Sequence, residues 1–351
     1  MDRATVDVYE QSAERYLAKR KAYAPDDAAA LAQLVPDGAW RVDLGSGPGH
    51  YTPLLGSPVV AIDAAHAMVA VLRRERPHTP AVQADLEHLP LRRGAVEGAW
   101  ASKSYQHIAH ESLPLALADL HRAVAVGGPV IVTVFAGDGT RISDDDRDMP
   151  GRRFSLWDPM ALRAVFEGAG FAIVSCDVLE ERLVIHATRA RTLPDFVRPD
   201  LRVLFCGYNP SVYAADRGVP FARPGNRFWP AAIESGLVSV DRDPWHAVRH
   251  HDVGFTDLVK RATVAAAELS IDELRGGLTR ITRVCEWLRP EVVCILGVGS
   301  WRSVVDRRAQ VGWQEQRIGP SRVYVMPNPS GLNASTQHAG FVEHMTCVAG
   351  R

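Results

Sequence analysis

Val42-Asp43-Leu44-Gly45-Ser46-Gly47-Pro48-Gly49 closes a short apolar run, Trp40–Leu44, with three glycines in five positions. A glycine-rich turn at a strand end lets the backbone reverse sharply and come close to a ligand. The next apolar run, Val59–Ile62, ends at Asp63, 18 residues after Gly45, and Ala81–Ala84 ends at Asp85. A carboxylate after the second strand can accept both hydroxyls of a ribose, and one after the third can accept from an exocyclic amine. Gly98–Ser102 follows, then a helical pattern over Leu113–Val126 and a β-branched strand, Val130–Phe135. A helix over Pro159–Gly168 leads into strands Phe171–Cys176 and Arg182–Thr188. Strands alternating with helices predict a doubly wound α/β sheet.

Over residues 191–200 the pattern breaks into two prolines and mixed charge, which reads as a linker. A new apolar strand starts at Arg202–Cys206, followed by a helix over Leu274–Leu288 and strands Val292–Leu296 and Val323–Met326. Two α/β domains are therefore expected, residues 1–190 and 201–351, as suits a chain of 351 residues.

Charge is unevenly divided. Residues 1–200 hold 22 Lys and Arg against 27 Asp and Glu, a net −5; residues 201–351 hold 18 against 14, a net +4. A mildly basic second half suits a phosphate-bearing partner, though the excess alone is weak support. No apolar run is long enough for a membrane span, and no signal peptide is evident, so a cytoplasmic location is expected. The five cysteines are widely spaced without a CxxC, which predicts reduced structural thiols and no metal site.

The glycine triplet, Asp63 and Asp85 together resemble class I S-adenosylmethionine-dependent methyltransferases. Tyr9–Tyr16 resembles that family's amino-terminal cap helix, Asp85–Pro90 its adenine-side turn, and Ala125–Pro129 the turn before its fifth strand. The resemblance covers roughly residues 1–190 and implies a Rossmann-like fold that binds S-adenosylmethionine. Asp43, Gly45, Gly47 and Gly49 would line the cofactor, Asp63 its ribose and Asp85 its adenine. Methyl transfer needs chiefly alignment of a nucleophile with the sulfonium methyl. Ser102, Lys103, Tyr105 and His107 follow the fourth strand, at the edge where ligands bind. His107 is read as a base or, with at least equal weight, as a structural residue; Asp144–Asp146 is read as a solvated loop. The methyl acceptor is not identified.

The second half carries three blocks: Gly207-Tyr208-Asn209-Pro210-Ser211, Pro224-Gly225-Asn226-Arg227-Phe228-Trp229 and Asn328-Pro329-Ser330-Gly331-Leu332. Taken alone, the first and last are Gly/Asn/Pro turns at strand ends. In this order they resemble the mismatch-specific uracil/thymine-DNA glycosylases of the uracil-DNA glycosylase superfamily, and Asp252–Val259 resembles that branch's G-x-T-x-L-V segment. The resemblance implies a uracil-DNA-glycosylase-like fold with a central parallel sheet, acting on double-stranded DNA that holds a mispaired or damaged pyrimidine. It places Asn209 as the water-positioning residue and Tyr208, Ser211 and Phe221 at the base pocket, Phe221 stacking on the base. The base must leave the helix, and Leu332 is the candidate wedge, beside Asn328, Ser330 and Gly331. Arg223 and Arg227 are candidate phosphate contacts. Tyr208 and Ser211 depart from the branch's smaller residues, and Asn333-Ala334 departs where its members read the opposite base. Excision is thus a firmer expectation than mismatch specificity.

These readings converge on a DNA repair glycosylase fused to a methyltransferase. Two alternatives stand beside it: a glycosylase whose first half only binds S-adenosylmethionine or a partner, and a DNA-binding protein with both sites silent.

Overall fold

The computed structural model describes residues 1–144, 149–331, 333 and 335–350. Its contacts divide it into two compact units, Met1–Ala190 and Arg191–Arg351.

The first unit is built on seven strands: β1 (Arg41–Leu44), β2 (Val59–Asp63), β3 (Ala81–Gln83), β4 (Gly98–Ser102), β5 (Pro129–Phe135) and, after a small hairpin, β8 (Phe171–Leu179) and β9 (Arg182–Arg189). The hairpin strands are β6 (Thr140–Ile142) and β7 (Arg153–Ser155). The sheet order is β3-β2-β1-β4-β5-β9-β8, parallel except for β9 and its neighbours. All four residues of β1 are buried, as a central strand covered on both faces requires. Helices α1 (Arg3–Lys19), α2 (Pro25–Leu34), α3 (His66–Glu75), α4 (Leu113–Ala123) and α5 (Pro159–Gly168) pack around the sheet. Asp158 caps α5, accepting from the N–H groups of Met160 and Ala161, and Pro159 fills the first turn.

The second unit has five strands: β10 (Val203–Gly207), β11 (Val253–Asp257), β12 (Val292–Leu296), β13 (Gly312–Ile318) and β14 (Ser321–Met326). Their order is β11-β10-β12-β14-β13; only the β13–β14 pairing is antiparallel. The carboxy ends of four parallel strands therefore share one edge, where ligands gather in such sheets. Helices α6 (Val212–Arg217), α7 (Phe228–Glu234), α8 (Pro244–His250), α9 (Ile271–Leu288), α10 (Val298–Val304) and α11 (His338–Val348) complete the unit. A capping box of Ser270 and Glu273 starts α9, one turn before the expected Leu274. Phe205, Phe228, Trp229 and Phe255 form the aromatic centre of this core.

The stretch expected to be a linker packs into the second unit. Leu193, Phe196 and Val197 are buried, and Phe196 exchanges both backbone hydrogen bonds with Phe255. Its prolines end a regular strand without preventing burial. No helix among the described residues is long and apolar enough to cross a membrane.

Candidate active sites

In the first unit the glycine turn lies where β1 ends. Gly45, Gly47 and Gly49 all have positive φ. A Cβ on Gly45 would lie 2.2 Å from the Cβ of Ser104, so the position admits only glycine. Ser104 itself donates from Oγ to the Leu44 carbonyl at 2.8 Å, which holds the turn after β4 against the end of β1. The Asp63 carboxylate accepts from Gly47 N–H at 2.8 Å and from Ala65 N–H at 2.9 Å. Burial pushes Asp63 up to about 6, against those hydrogen bonds, and pushes Asp43 up to about 7, although Thr52 donates to it.

Gly45, Gly47, Asp63, Lys103 and His107 line one cleft, with Tyr9 and Tyr16 of α1 over it. A larger cavity of about 360 Å³ shares Tyr9, Tyr16 and Lys103. These walls fit a nucleoside cofactor: the turn leaves no Cβ in its way, and each Asp63 oxygen keeps a lone pair for a hydroxyl. Asp85 does not line either cleft. Its carboxylate accepts from the Met1 ammonium and from Glu87 N–H. His107 is buried and pushed down to about 4 by burial. Its Nδ1 lies 2.6 Å from the Arg153 carbonyl, which fixes the proton there, so Nε2 accepts from the Tyr9 hydroxyl at 2.9 Å. That leaves no lone pair for a substrate proton and favours the structural reading of His107.

In the second unit Asn209 follows β10 and faces the segment after β11. Its carboxamide nitrogen donates to the carbonyls of Arg261 (2.9 Å) and Pro210 (3.2 Å) and to Thr263 Oγ1 (2.8 Å). Three acceptors on the nitrogen fix the amide orientation and turn Oδ1 away from them. Ser211 caps α6, its Oγ accepting from Ala214 N–H. Phe221 has φ +56, an unusual conformation for a bulky residue. Its ring lies 4.5 Å from that of Phe228, and a Cβ added to Gly207 would come 3.5 Å from Phe221.

The same imaginary Cβ would lie 2.4 Å from Asp257 Oδ1. Asp257 is opposite Gly207 in the register of β10 with β11, is buried, and is pushed up to about 6 by burial. Behind it stands a charged cluster. Asp195 accepts from Thr256 Oγ1 (2.7 Å), Lys260 Nζ (2.8 Å) and Arg280 (2.5 Å), while Arg280 also donates to the Asp257 carbonyl. Burial opposes ionisation of Asp195, but Arg280 and Lys260 outweigh it and hold the carboxyl below its ordinary value.

The Pro224–Trp229 block and the loop after β14 are joined. Arg227 N–H donates to the Pro329 carbonyl, and its guanidinium donates to the carbonyls of Thr336, Ser330 and Asn333. Arg227 therefore clamps this loop from within. Gly331 sits so close to Gly225 that a Cβ would lie 3.1 Å from the Gly225 carbonyl oxygen. Asn328 Oδ1 accepts from Ser330 N–H, shaping the turn. Arg223 is exposed, as is Asn209's neighbour edge at Arg261 in part, where Glu273 pairs with the guanidinium. Leu332 and Ala334, like Asp145 and Asp146, lie outside the described residues.

Residues 194–346 match the uracil DNA glycosylase superfamily, and residues 42–132 match a methyltransferase domain family. The chain joins a methyltransferase domain to a domain of the uracil DNA glycosylase superfamily. Solved structures similar to the chain include a methyltransferase from Methanosarcina mazei (12% identity, 46% of this chain and 97% of that one, TM-score 0.42). Another, from Mesorhizobium loti, is 19% identical over 47% of this chain and 100% of that one, with TM-score 0.38. A third, the 1,6-didemethyltoxoflavin-N1-methyltransferase of Burkholderia thailandensis, is 20% identical over 53% of this chain and 88% of that one, with TM-score 0.43.

Sequence reading of the glycosylase-superfamily domain did not single out Asp257 or the Asp195 cluster. The usable signal for Asp257 was an acid at the end of an apolar run, the same signal that drew attention to Asp63. Asp195 had none, because its partners Lys260 and Arg280 lie far along the chain. Among the described residues no group of His, Cys, Asp and Glu could hold a metal ion. Cys206, Cys285 and Cys294 are buried and their thiols are pushed up by burial, as inert core residues are.

Proposed function

We propose that the glycosylase-superfamily domain hydrolyses the N-glycosidic bond of uracil, or of a related mispaired or damaged pyrimidine, in duplex DNA. The observation that carries this reading is the pinned carboxamide of Asn209. Its nitrogen is fully engaged, so Oδ1 is the group left to accept a hydrogen bond from a water approaching the anomeric carbon. An amide cannot take the proton, so the rate must come from preorganised polar groups around the developing charges. Backbone N–H groups around Tyr208 and Ser211 would receive the negative charge of the leaving base. The base, once flipped, would stack on Phe221, whose strained backbone holds the ring above Gly207. Asp257, ionised above about pH 6, would face the positive charge that develops on the sugar. Leu332 would fill the vacated stack, and Arg223 would meet a phosphate.

The methyltransferase domain, in the same proposal, binds S-adenosylmethionine at Gly45, Gly47, Gly49 and Asp63, with Asp43 supporting the turn. The cofactor would supply an electrophilic methyl group. Tyr9 and Tyr16 would close over it and exclude water.

Duplex oligonucleotides containing G·U, G·T or ethenocytosine, incubated with the protein and then cleaved in alkali, test the first half. Asn209→Ala should lower excision by about 10²–10³-fold, the usual cost of one preorganised polar group. Equal inactivity of wild type and variant on all three duplexes would remove the glycosylase reading. Titration with S-adenosylhomocysteine tests the second half; absence of heat would remove it.

A further inference from the structure

We infer that Asp257 reads the inner edge of the flipped base, so that the glycosylase-superfamily domain prefers a mispaired or damaged pyrimidine with an amino group at C4, of the cytosine type, over uracil. This rests on the glycosylase reading above and narrows the base that it leaves open. Asp257 ends β11 opposite Gly207 and is 6% exposed. Its carboxylate makes no hydrogen bond or ion pair with any described residue. Lys260 and Arg280, the cations of the neighbouring cluster, are committed to Asp195, and Arg280 otherwise donates to Thr256 and to the Asp257 main-chain carbonyl. A buried charge without a hydrogen-bonding partner is costly, and a ligand that donates to it relieves that cost.

Position decides which part of the base the carboxylate meets. A Cβ at Gly207 would lie 2.4 Å from Asp257 Oδ1 and 3.5 Å from Phe221 Cε1, so carboxylate and ring edge converge above this glycine. Gly207 stands two residues before Asn209, within the buried strand β10, whereas the sugar of a flipped nucleotide stays with its DNA strand outside. A pyrimidine stacked on Phe221 with its sugar toward Asn209 therefore turns its far edge, N3 and the C4 substituent, to Asp257. In cytosine that substituent is an amine, and its hydrogen on the C5 side has no lone pair beside it. A carboxylate is a fitting acceptor for this amine. In uracil the substituent is a carbonyl oxygen, which a carboxylate repels. Uracil N3–H is a donor, but it lies between two carbonyl oxygens, so a carboxylate that reaches it meets a lone pair beside it. That contact would also add to the negative charge that departing uracil must carry. A site built to pair one polar group rejects the analogue that leaves it unpaired. Burial raises Asp257 to about 6, which leaves it ionised, and an acceptor only, at pH 7.5. The charge acts on the base by contact and on the sugar through space.

The test is fluorescence-anisotropy titration of the full chain at pH 7.5 with labelled duplexes that resist cleavage. They carry 2′-fluoroarabino-cytidine or 2′-fluoroarabino-uridine opposite thymine and otherwise share one sequence. The cytidine duplex should bind about tenfold or more tightly, the effect of one hydrogen bond to a charged group. Asp257→Asn presents a donor as well as an acceptor, so it should accommodate either base and bring the two affinities to within about twofold. Equal binding by wild type would overturn the inference, as would tighter binding of the uridine duplex. So would a cytidine preference that survives intact in Asp257→Asn. Excision assays on the corresponding deoxycytidine and deoxyuridine duplexes, beside those containing G·U, G·T and ethenocytosine, judge the glycosylase reading separately. A binding preference without excision of any base would remove that reading alone. Excision without the preference would remove the inference alone.

Discussion

The two domains solve one problem, presenting polar groups at the carboxy edge of a parallel sheet, in opposite ways. In the methyltransferase domain a partly buried carboxylate, Asp63, lines the cleft. Asp63 takes its hydrogen bonds from backbone N–H groups and is raised by burial, which leaves it receptive to further donors. In the glycosylase-superfamily domain the best-buried carboxylate, Asp195, is turned inward and neutralised by Lys260 and Arg280. What reaches the edge is a neutral amide, Asn209, pinned by carbonyls of the segment that this cluster anchors. A binding site for a polar cofactor gains from an acid with spare lone pairs. A site that must orient one water gains more from a scaffold that cannot shift.

That contrast breaks most visibly at Asp195. Removing one member of a buried ion cluster strands the others, at a cost of about 3–5 kcal/mol. Asp195→Ala should therefore lower one calorimetric unfolding transition, that of the glycosylase-superfamily domain, and leave the methyltransferase domain's transition in place. A loss below about 1 kcal/mol would mean that the cluster is not the scaffold described here.

How much of this the sequence carried differs between the domains for the same physical reason. Gly45, Gly47 and Asp63 act through backbone conformation and strand ends, which are local, and they could be read from spacing. So could the caps of α5, in Asp158-Pro159, and the parallel order implied by alternating elements. The Asp195 cluster joins residues separated by 61 to 85 positions; no local pattern marks it, and Pro194 and Pro199 disguised its segment as a linker. The clamp made by Arg227 is hidden from the sequence for a related reason. A lone Arg beside glycines looks solvent-facing until the loop it clamps, more than 100 residues away, folds over it. β13 was invisible because its exposed polar face lacks an apolar run.

If Asp63 is held in readiness for hydroxyl donors, Asp63→Asn should weaken S-adenosylhomocysteine binding by about 10–100-fold, the span of hydrogen bonds to a charged group. The Asn has a single oxygen for the two N–H groups that the two Asp63 oxygens accept, from Gly47 and from Ala65, so one of these contacts is lost together with the charge. Unchanged affinity by isothermal titration would show that the cofactor makes no use of this carboxylate.

Asp257 tests whether the glycosylase-superfamily domain keeps any acid of the Asp63 kind. It is raised by burial to about 6, from the ordinary value of 3.8, as Asp63 is, and it shares the space beneath Phe221. The sign of its linkage follows. Between about pH 4 and pH 6 the folded state holds a proton that the unfolded state has released, so stability falls as pH rises through this window. At pH 7.5 the ionised, buried carboxylate is a net cost. Asp257→Asn removes that cost, so the variant should be more stable than wild type by about 3 kcal/mol at pH 7.5. The advantage should shrink toward zero by pH 4. Excision should move the other way: wild-type activity rises through about pH 6, and the variant is slower with that rise flattened. A residue kept at a cost to stability is one whose charge is used. If Asp257→Asn is more stable and equally active, the acid is a relic of packing, and Asn209 with its scaffold is the whole of the polar machinery.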